Sequence, residues 1–337
     1  MTEPKRPAKP PIPVLVRAGA VWAIVAVVAV LLAALTWIWL SFSQPAGAPP
    51  APPGPAPATG LQSQPPAASA AETVAYRAML SGRSADWRVM RLAENPRILV
   101  IEFPDLTSQG QAFNRLAALI EKDKAPRDRV LSDEGLARFI SESGASPETF
   151  FFGHDYTADA VAAFFTLAVN QQIRLNPAEL RLGNVLLAAG LLIEQSDRLV
   201  ANPDRQAVVS FTATQADNPS TAIDESVDAR RRETILRHEL SHGEFFTNPA
   251  YRDFCWAFWQ GLMDDERRQL RRFLNEQGYD PRNEELMVNE AQAFLMHTPD
   301  TRVFGADRIG MSPARLSELR ARFDSGQPAS IFHRIDR

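Results

Sequence analysis

The sequence predicts a helix-rich α+β domain carried behind an N-terminal membrane-spanning helix and a Pro/Ala-rich linker. Three observations point to this. The first is an uncharged apolar run of 23 residues, Ala18–Leu40. The second is a stretch at 43–71 with nine prolines and no charged residue. The third is the pattern beyond residue 72, where apolar residues recur mostly at helical spacing and two β-branched runs interrupt them.

Residues 1–17 carry Lys5, Arg6, Lys9 and Arg17 against Glu3. At 1.5 Å rise per residue the apolar run reaches about 34 Å, enough for a bilayer core. Trp22, Trp37 and Trp39 lie near its ends, where indoles favour the interface. The next charged residue after Arg17 is Glu72. The positive-inside rule then predicts a cytoplasmic segment at 1–17 and a single-pass helix at 18–42 in the inner membrane, with the rest in the periplasm or extracellular space. Ala46-Gly47-Ala48 resembles a signal-cleavage site, but the run exceeds a usual signal core, which favours an uncleaved anchor. Residues 43–71 cannot bury a core and read as an extended polyproline spacer.

The globular domain is expected at 72–337. Within it, Glu72–Leu92 reads as one or two helices, and Arg97–Phe103 as a buried strand. Gln109–Lys122 is an amphipathic helix. Ser132 caps a helix that stops at Gly144, and Thr157 caps one running to Asn170. Asn176-Pro177 opens another, since proline suits the first helical position. Ala207–Thr214 alternates as a strand. Glu225–Phe246 is a helix, followed by one long helix at Pro249–Gln277 and a third from Asp280-Pro281 to His297. Ser312-Pro313 opens the last, ended by Gly326.

The formal net charge is −4. Residues 1–42 contribute four cations and one anion, a surplus of three, so the remainder carries −7. An acidic domain speaks against a nucleic-acid partner. The sole cysteine, Cys255, excludes an internal disulfide and any multi-cysteine metal site.

The chemistry concentrates in His238-Glu239-Leu240-Ser241-His242. Residues four apart share a helical face, so this H-E-x-x-H run aims two imidazoles at one point with a carboxylate beside them. A catalytic zinc takes three protein ligands and keeps a fourth position for water. The extended spacing H-E-x-x-H-x-x-G-x-x-H is absent, because Phe245 stands at its glycine position. The third ligand must come from elsewhere, and Glu290, on the helix ending at His297, is the best candidate.

In this respect residues 205–300 resemble the gluzincin branch of the zincin metallopeptidases. There the third ligand is a glutamate on a later helix, often within an Asn-Glu pair, and Asn289-Glu290 matches that pair. The 47 residues between His242 and Glu290 exceed the thermolysin-like spacing, and the small residue and aspartate that usually follow are missing. The resemblance implies a zincin-like domain with Zn²⁺ on His238, His242 and Glu290. It also implies that Glu239 is the general base for water attack on a peptide carbonyl. The upstream strand, Ala207–Thr214, would be the edge that pairs with an extended substrate.

Other residues are weaker candidates. His297 lies two turns beyond Glu290 and reads as a catalytic donor or as a helix cap. Tyr251 is a candidate substrate contact and, with Tyr279, an alternative donor. Arg231, seven before His238, could bind a substrate carboxylate, although Arg230-Arg231-Arg232 also fits a solvated face. Glu244 reads as a solvated acid at a helix end or as a partner that orients a ligand histidine. Phe152-Gly153-His154-Asp155-Tyr156 reads as a turn before a helix, or as part of a cleft wall.

The expected function is a membrane-anchored zinc metallopeptidase acting on envelope proteins or peptides. The alternative is a catalytically inactive binding or assembly module of the cell envelope on the same scaffold. The membrane would be contacted through the N-terminal helix alone.

Overall fold

The computed structural model describes residues 71–337 apart from Asp197, Ala222 and Arg337, all within one compact unit, Leu61–Arg337. The expected membrane helix at 18–42, the segment 1–17 and nearly all of the linker lie outside the described residues. Among those described, no helix is long and apolar enough to cross a membrane. The domain is mixed α+β and about half helical.

A five-stranded sheet forms the centre. Its spatial order is β1 (Glu72–Val74), β2 (Arg88–Leu92), β3 (Asn95–Phe103), β7 (Ala207–Thr212) and β4 (His154–Thr157). The pairs β1–β2 and β3–β7 are parallel, while β2–β3 and β7–β4 are antiparallel. The hairpin β5 (Leu192–Gln195) and β6 (Arg198–Ala201) stands apart from it.

Strand periodicity decides which side chains face which layer. Leu99, Ile101, Phe103 and Val208 pack with α2 (Leu106–Ile120), α4 (Ala158–Asn170) and α5 (Pro177–Ala188). Ile98, Val100, Val209 and Phe211 share the second core with Leu236 and Leu240 of α6 (Ala229–Thr247). Gly243 lets α6 approach closely, since a Cβ there would stand 2.9 Å from Ile98 Cγ2. A third core joins α7 (Pro249–Gln260), α8 (Asp264–Glu276), α9 (Glu284–His297) and α11 (Pro313–Gly326) through Tyr251, Phe273, Phe294 and Phe323. The short helices α1 (Tyr76–Ser81), α10 (Ala306–Ile309) and α12 (Phe332–Ile335), with α3 (Asp133–Glu142), complete the chain.

The local signals for helix starts hold. The side chains of Ser132, Thr157 and Asn176 each accept from the backbone N–H three residues on, and Asn176 forms a full capping box with Glu179. Four expectations are corrected. Glu72–Leu92 is two strands around the single turn-and-a-half of α1, because Met90 and Leu92 face the core and pairing with β3 outweighs local helix preference. The long helix expected at Pro249–Gln277 breaks at Gly261-Leu262-Met263; Glu266 accepts from the Met263 N–H and starts α8. The cap of α9 is Asn283, not Asp280. Phe152–Tyr156 is not a turn: His154–Thr157 is the edge strand β4, paired with β7. It follows that β7 has a neighbour on each side and cannot add a substrate strand.

Arg232 also departs from the solvated reading. It is buried and donates to Glu102 at 2.6 Å and to the carbonyls of Met79, Leu80, Gly82 and Thr212.

Candidate metal centre

Three elements meet at the middle of α6. The helix supplies His238, Glu239 and His242 from a single turn, α9 crosses behind it with Glu290, and β4 passes in front with Asp155. His238 Nε2 lies 3.7 Å from Glu290 Oε2, and His242 Nε2 lies 3.7 Å from Glu290 Oε1. The ligand atoms of His238, His242 and Glu290 all fall within 4.8 Å of one another.

The tautomer of His238 follows from its neighbour. Thr298 donates its hydroxyl proton to the Ala293 carbonyl at 3.0 Å, so toward His238 Nδ1, at 2.8 Å, it can only accept. Nδ1 therefore carries the proton, and the Nε2 lone pair faces Glu290. The ring is held further by an edge contact with Phe294 at 4.7 Å. Burial pushes the His238 imidazole down to about 3 and the His242 imidazole down to about 4. Both are neutral at physiological pH and available as ligands.

The carboxylates move the other way. Burial raises Glu239, and the charges of Glu290 and Glu121 add to it. Burial raises Asp155 well above its ordinary value, with Glu121, Glu239 and Glu290 reinforcing it. Glu121, at the C-terminal end of α2, is pushed up to about 8, first by burial and then by Glu290. Burial also raises Glu290, against the opposing pull of His242, Tyr279 and Lys122. Four acids thus share a space in which Lys122, itself pushed down to about 8 by burial, opposes Glu121 and Glu290, and Arg127 opposes Glu121. The buried atoms Glu290 Oε2, Glu239 Oε2, Glu121 Oε1 and His242 Nε2 have no hydrogen-bond partner.

A cleft of about 890 Å³ opens onto the cluster. Its wall includes His238, Glu239, Asp155, Gly153 and Tyr279. Gly153 touches the motif directly, because a Cβ there would stand 2.2 Å from Glu239 Oε1. Only glycine leaves room for that carboxylate.

The remaining candidates fall in different places. Arg231 lines the cleft, where its guanidinium lies 4.1 Å from the Phe152 ring centroid and bonds to the Ser226 carbonyl and Asp224. Tyr251 and His297 do not line it. The Tyr251 hydroxyl is within 3.0 Å of His297 Nε2 and donates to Gln292, and the His297 ring stacks 3.6 Å from Phe332. Both are fastened into the helical core behind α6, because seven residues keep His297 on the face of Glu290 but carry it about 10 Å further along α9, past the cluster. Glu244 is neither solvated nor next to a ligand histidine. It is 2% exposed and accepts from Asn95, Asn248 and the Ile331 N–H.

Asp155, Glu121, Gly153 and Thr298 are the residues that motif reasoning passed over. Asp155 lay inside the His154-Asp155-Tyr156 run already singled out as cleft-wall material. Thr298 directly follows His297, one residue from the position that drew attention. Glu121 carries no local signal.

Comparison with protein-family models, curated proteins and solved structures finds no match to this chain.

Proposed function

We propose that the chain is a membrane-anchored, zinc-dependent metallopeptidase with a zincin-like catalytic domain, acting on peptide bonds in envelope proteins or peptides. One observation carries the reading: two neutral histidines and a glutamate turn their free ligand atoms toward a common point beside Glu239 and the cleft.

The residues fit zinc. Two imidazole nitrogens and one carboxylate are a donor set that catalytic zinc accepts. Buried polar atoms without partners cost roughly 1–3 kcal/mol each, and His242 Nε2 and Glu290 Oε2 are two of them. A zinc ion held there supplies Lewis acidity and lowers the pKa of a water toward about 7. Glu239, fixed against Gly153, would accept the proton of an attacking water and return it to the leaving amine. Burial, with the charges of Glu290 and Glu121, raises its pKa and so makes the ionised carboxylate a stronger base. Thr298 keeps the His238 ring in the ligand tautomer. β4, last in the sheet, offers its free edge to an extended peptide, a role the sequence resemblance gave to β7.

The anchor belongs to the same proposal and rests on residues 1–71 of the sequence: basic residues, then the apolar run, then a spacer that would hold the domain away from the membrane. The test is zinc content and peptide cleavage by the purified full chain. Glu239→Gln should keep stoichiometric zinc and lose cleavage. Wild-type protein without zinc ends the reading. If Glu239→Gln fully complements a deletion strain, the inactive binding or assembly module takes its place.

A further inference from the structure

Glu290 has a second set of neighbours. Glu121 at the end of α2, Asp155 on β4 and Glu290 on α9 each offer a carboxylate oxygen, all within 4.8 Å of one another. An isolated antiparallel bridge between Lys122 and Tyr279 ties the end of α2 to the segment before α9 and so places Glu121 opposite Glu290. The three carboxylates come from parts of the chain far apart in sequence, and no helical turn forces them together.

They are costly as they stand. Glu121 is 4% exposed and its Oε1 has no hydrogen-bond partner; Glu290 is 1% exposed and its Oε2 has none. Like charges this close and this buried cannot all ionise without a compensating cation. Lys122 does not fill that role by contact. Its ammonium lies over the rings of Phe150 and Phe151, at 4.7 and 3.9 Å, and forms no salt bridge with any of the three. Arg127 also acts on Glu121, but its guanidinium is committed to Asp280 and to the carbonyls of Leu119 and Lys122.

We propose that Glu121, Asp155 and Glu290 form a second divalent-cation site, with Glu290 shared between the two ions. The donors are all carboxylate oxygens, which selects a hard cation such as Mn²⁺, Mg²⁺ or Ca²⁺ over zinc. The site lies on the cleft wall, since Glu121 and Asp155 both line it. A cation held there would fix Glu290 in its orientation toward His238 and His242. The proposal builds on the zinc reading of the neighbouring site, but its test separates the two.

Full-length protein loaded with one equivalent of zinc is titrated with MnCl₂ alone, and free Mn²⁺ is followed by its EPR signal. One equivalent should bind. Glu121→Gln, which touches only the second site, should weaken Mn²⁺ more than about tenfold while zinc stays at one equivalent. Asp155→Asn should weaken Mn²⁺ by a similar factor and serves if Glu121→Gln fails to fold, with zinc measured alongside because Asp155 Oδ2 lies 3.7 Å from His242 Nε2. Zinc-loaded wild type that binds no Mn²⁺ overturns the second site and leaves the first intact. Mn²⁺ binding that Glu121→Gln leaves unchanged also overturns it, because the ion is then elsewhere on an acidic surface. A third result against it is absence of Mn²⁺ binding together with a raised KM in Glu121→Gln only for peptides with a free α-amine. The carboxylates would then recognise a substrate ammonium. Protein that binds no zinc at all fails the first reading, and the Mn²⁺ titration still decides the second.

Discussion

Replacing Gly153 by alanine isolates the proposed general base, Glu239, from the proposed metal ligands. The added methyl would stand 2.2 Å from Glu239 Oε1, 2.5 Å from Cδ and 2.7 Å from Cγ. Ordinary contact begins near 3.4 Å, so the carboxylate must retreat by roughly 1.2 Å or β4 must move outward. β4 is held to β7 through the His154–Ser210 to Thr157–Ala207 register, so the side chain is the softer partner. A misplacement of about 1 Å in a catalytic group costs on the order of 100-fold in rate. Gly153→Ala is therefore expected to lower kcat about 100-fold while zinc stays stoichiometric, with a stability loss of about 1–3 kcal/mol from overpacking. The assay pairs turnover of a fluorogenic peptide, selected from a library with the wild-type enzyme, with metal analysis and a urea melt. Wild-type turnover in a folded, zinc-bound Gly153→Ala protein would refute the placement of Glu239. Loss of zinc in parallel with activity would mean that β4 had moved and carried the metal site with it.

Three further outcomes are expected. Thr298→Val removes the acceptor for His238 Nδ1–H and should weaken zinc about 10–100-fold in a chelator competition, with the melt nearly unchanged; unaltered affinity would mean the tautomer needs no such partner. Arg232→Met strands Glu102 in the core, where both side chains are almost wholly buried, and should cost about 3–5 kcal/mol in urea unfolding. The double variant with Glu102→Met should recover much of that loss, and a double variant as unstable as the single one would count against the charge argument. Cys255 is 2% exposed and burial pushes its thiol up, so it should resist a disulfide reagent in native protein at pH 8 and react fully in denaturant; rapid native labelling would contradict the packing of α7.

How far the chain could be read in advance depended on how local each signal was. Caps at Ser132, Thr157 and Asn176 work within four residues, and the structure keeps all three. The β-branched run at Arg97–Phe103 is apolar on both faces and could only be a central strand. Glu72–Leu92 carried no such mark, and its strands exist because β3 offers a partner. The His154–Thr157 strand is only four residues long and reads as a turn until β7 lies beside it. The break at Gly261-Leu262-Met263 was hidden by the helix-forming residues on either side.

The same division runs through the site. His238, Glu239 and His242 were fixed by the sequence alone, because the helical repeat puts positions four apart on one face whatever surrounds them. Glu290 was reached by elimination and by the Asn-Glu resemblance, and the tertiary structure sets its two oxygens 3.7 Å from the two imidazoles. Glu121 and Thr298 belong to the tertiary structure only, while Gly153 and Asp155 lie in the run that the sequence marked as a possible cleft wall and that does line the cleft. Each acts across a contact between elements distant in the chain, and no spacing rule encodes which edge strand, helix end or loop will arrive there. For the same reason His297 and Tyr251 looked functional in sequence and turn out to meet in the core, since a shared helical face says nothing of how far along the helix the cluster extends.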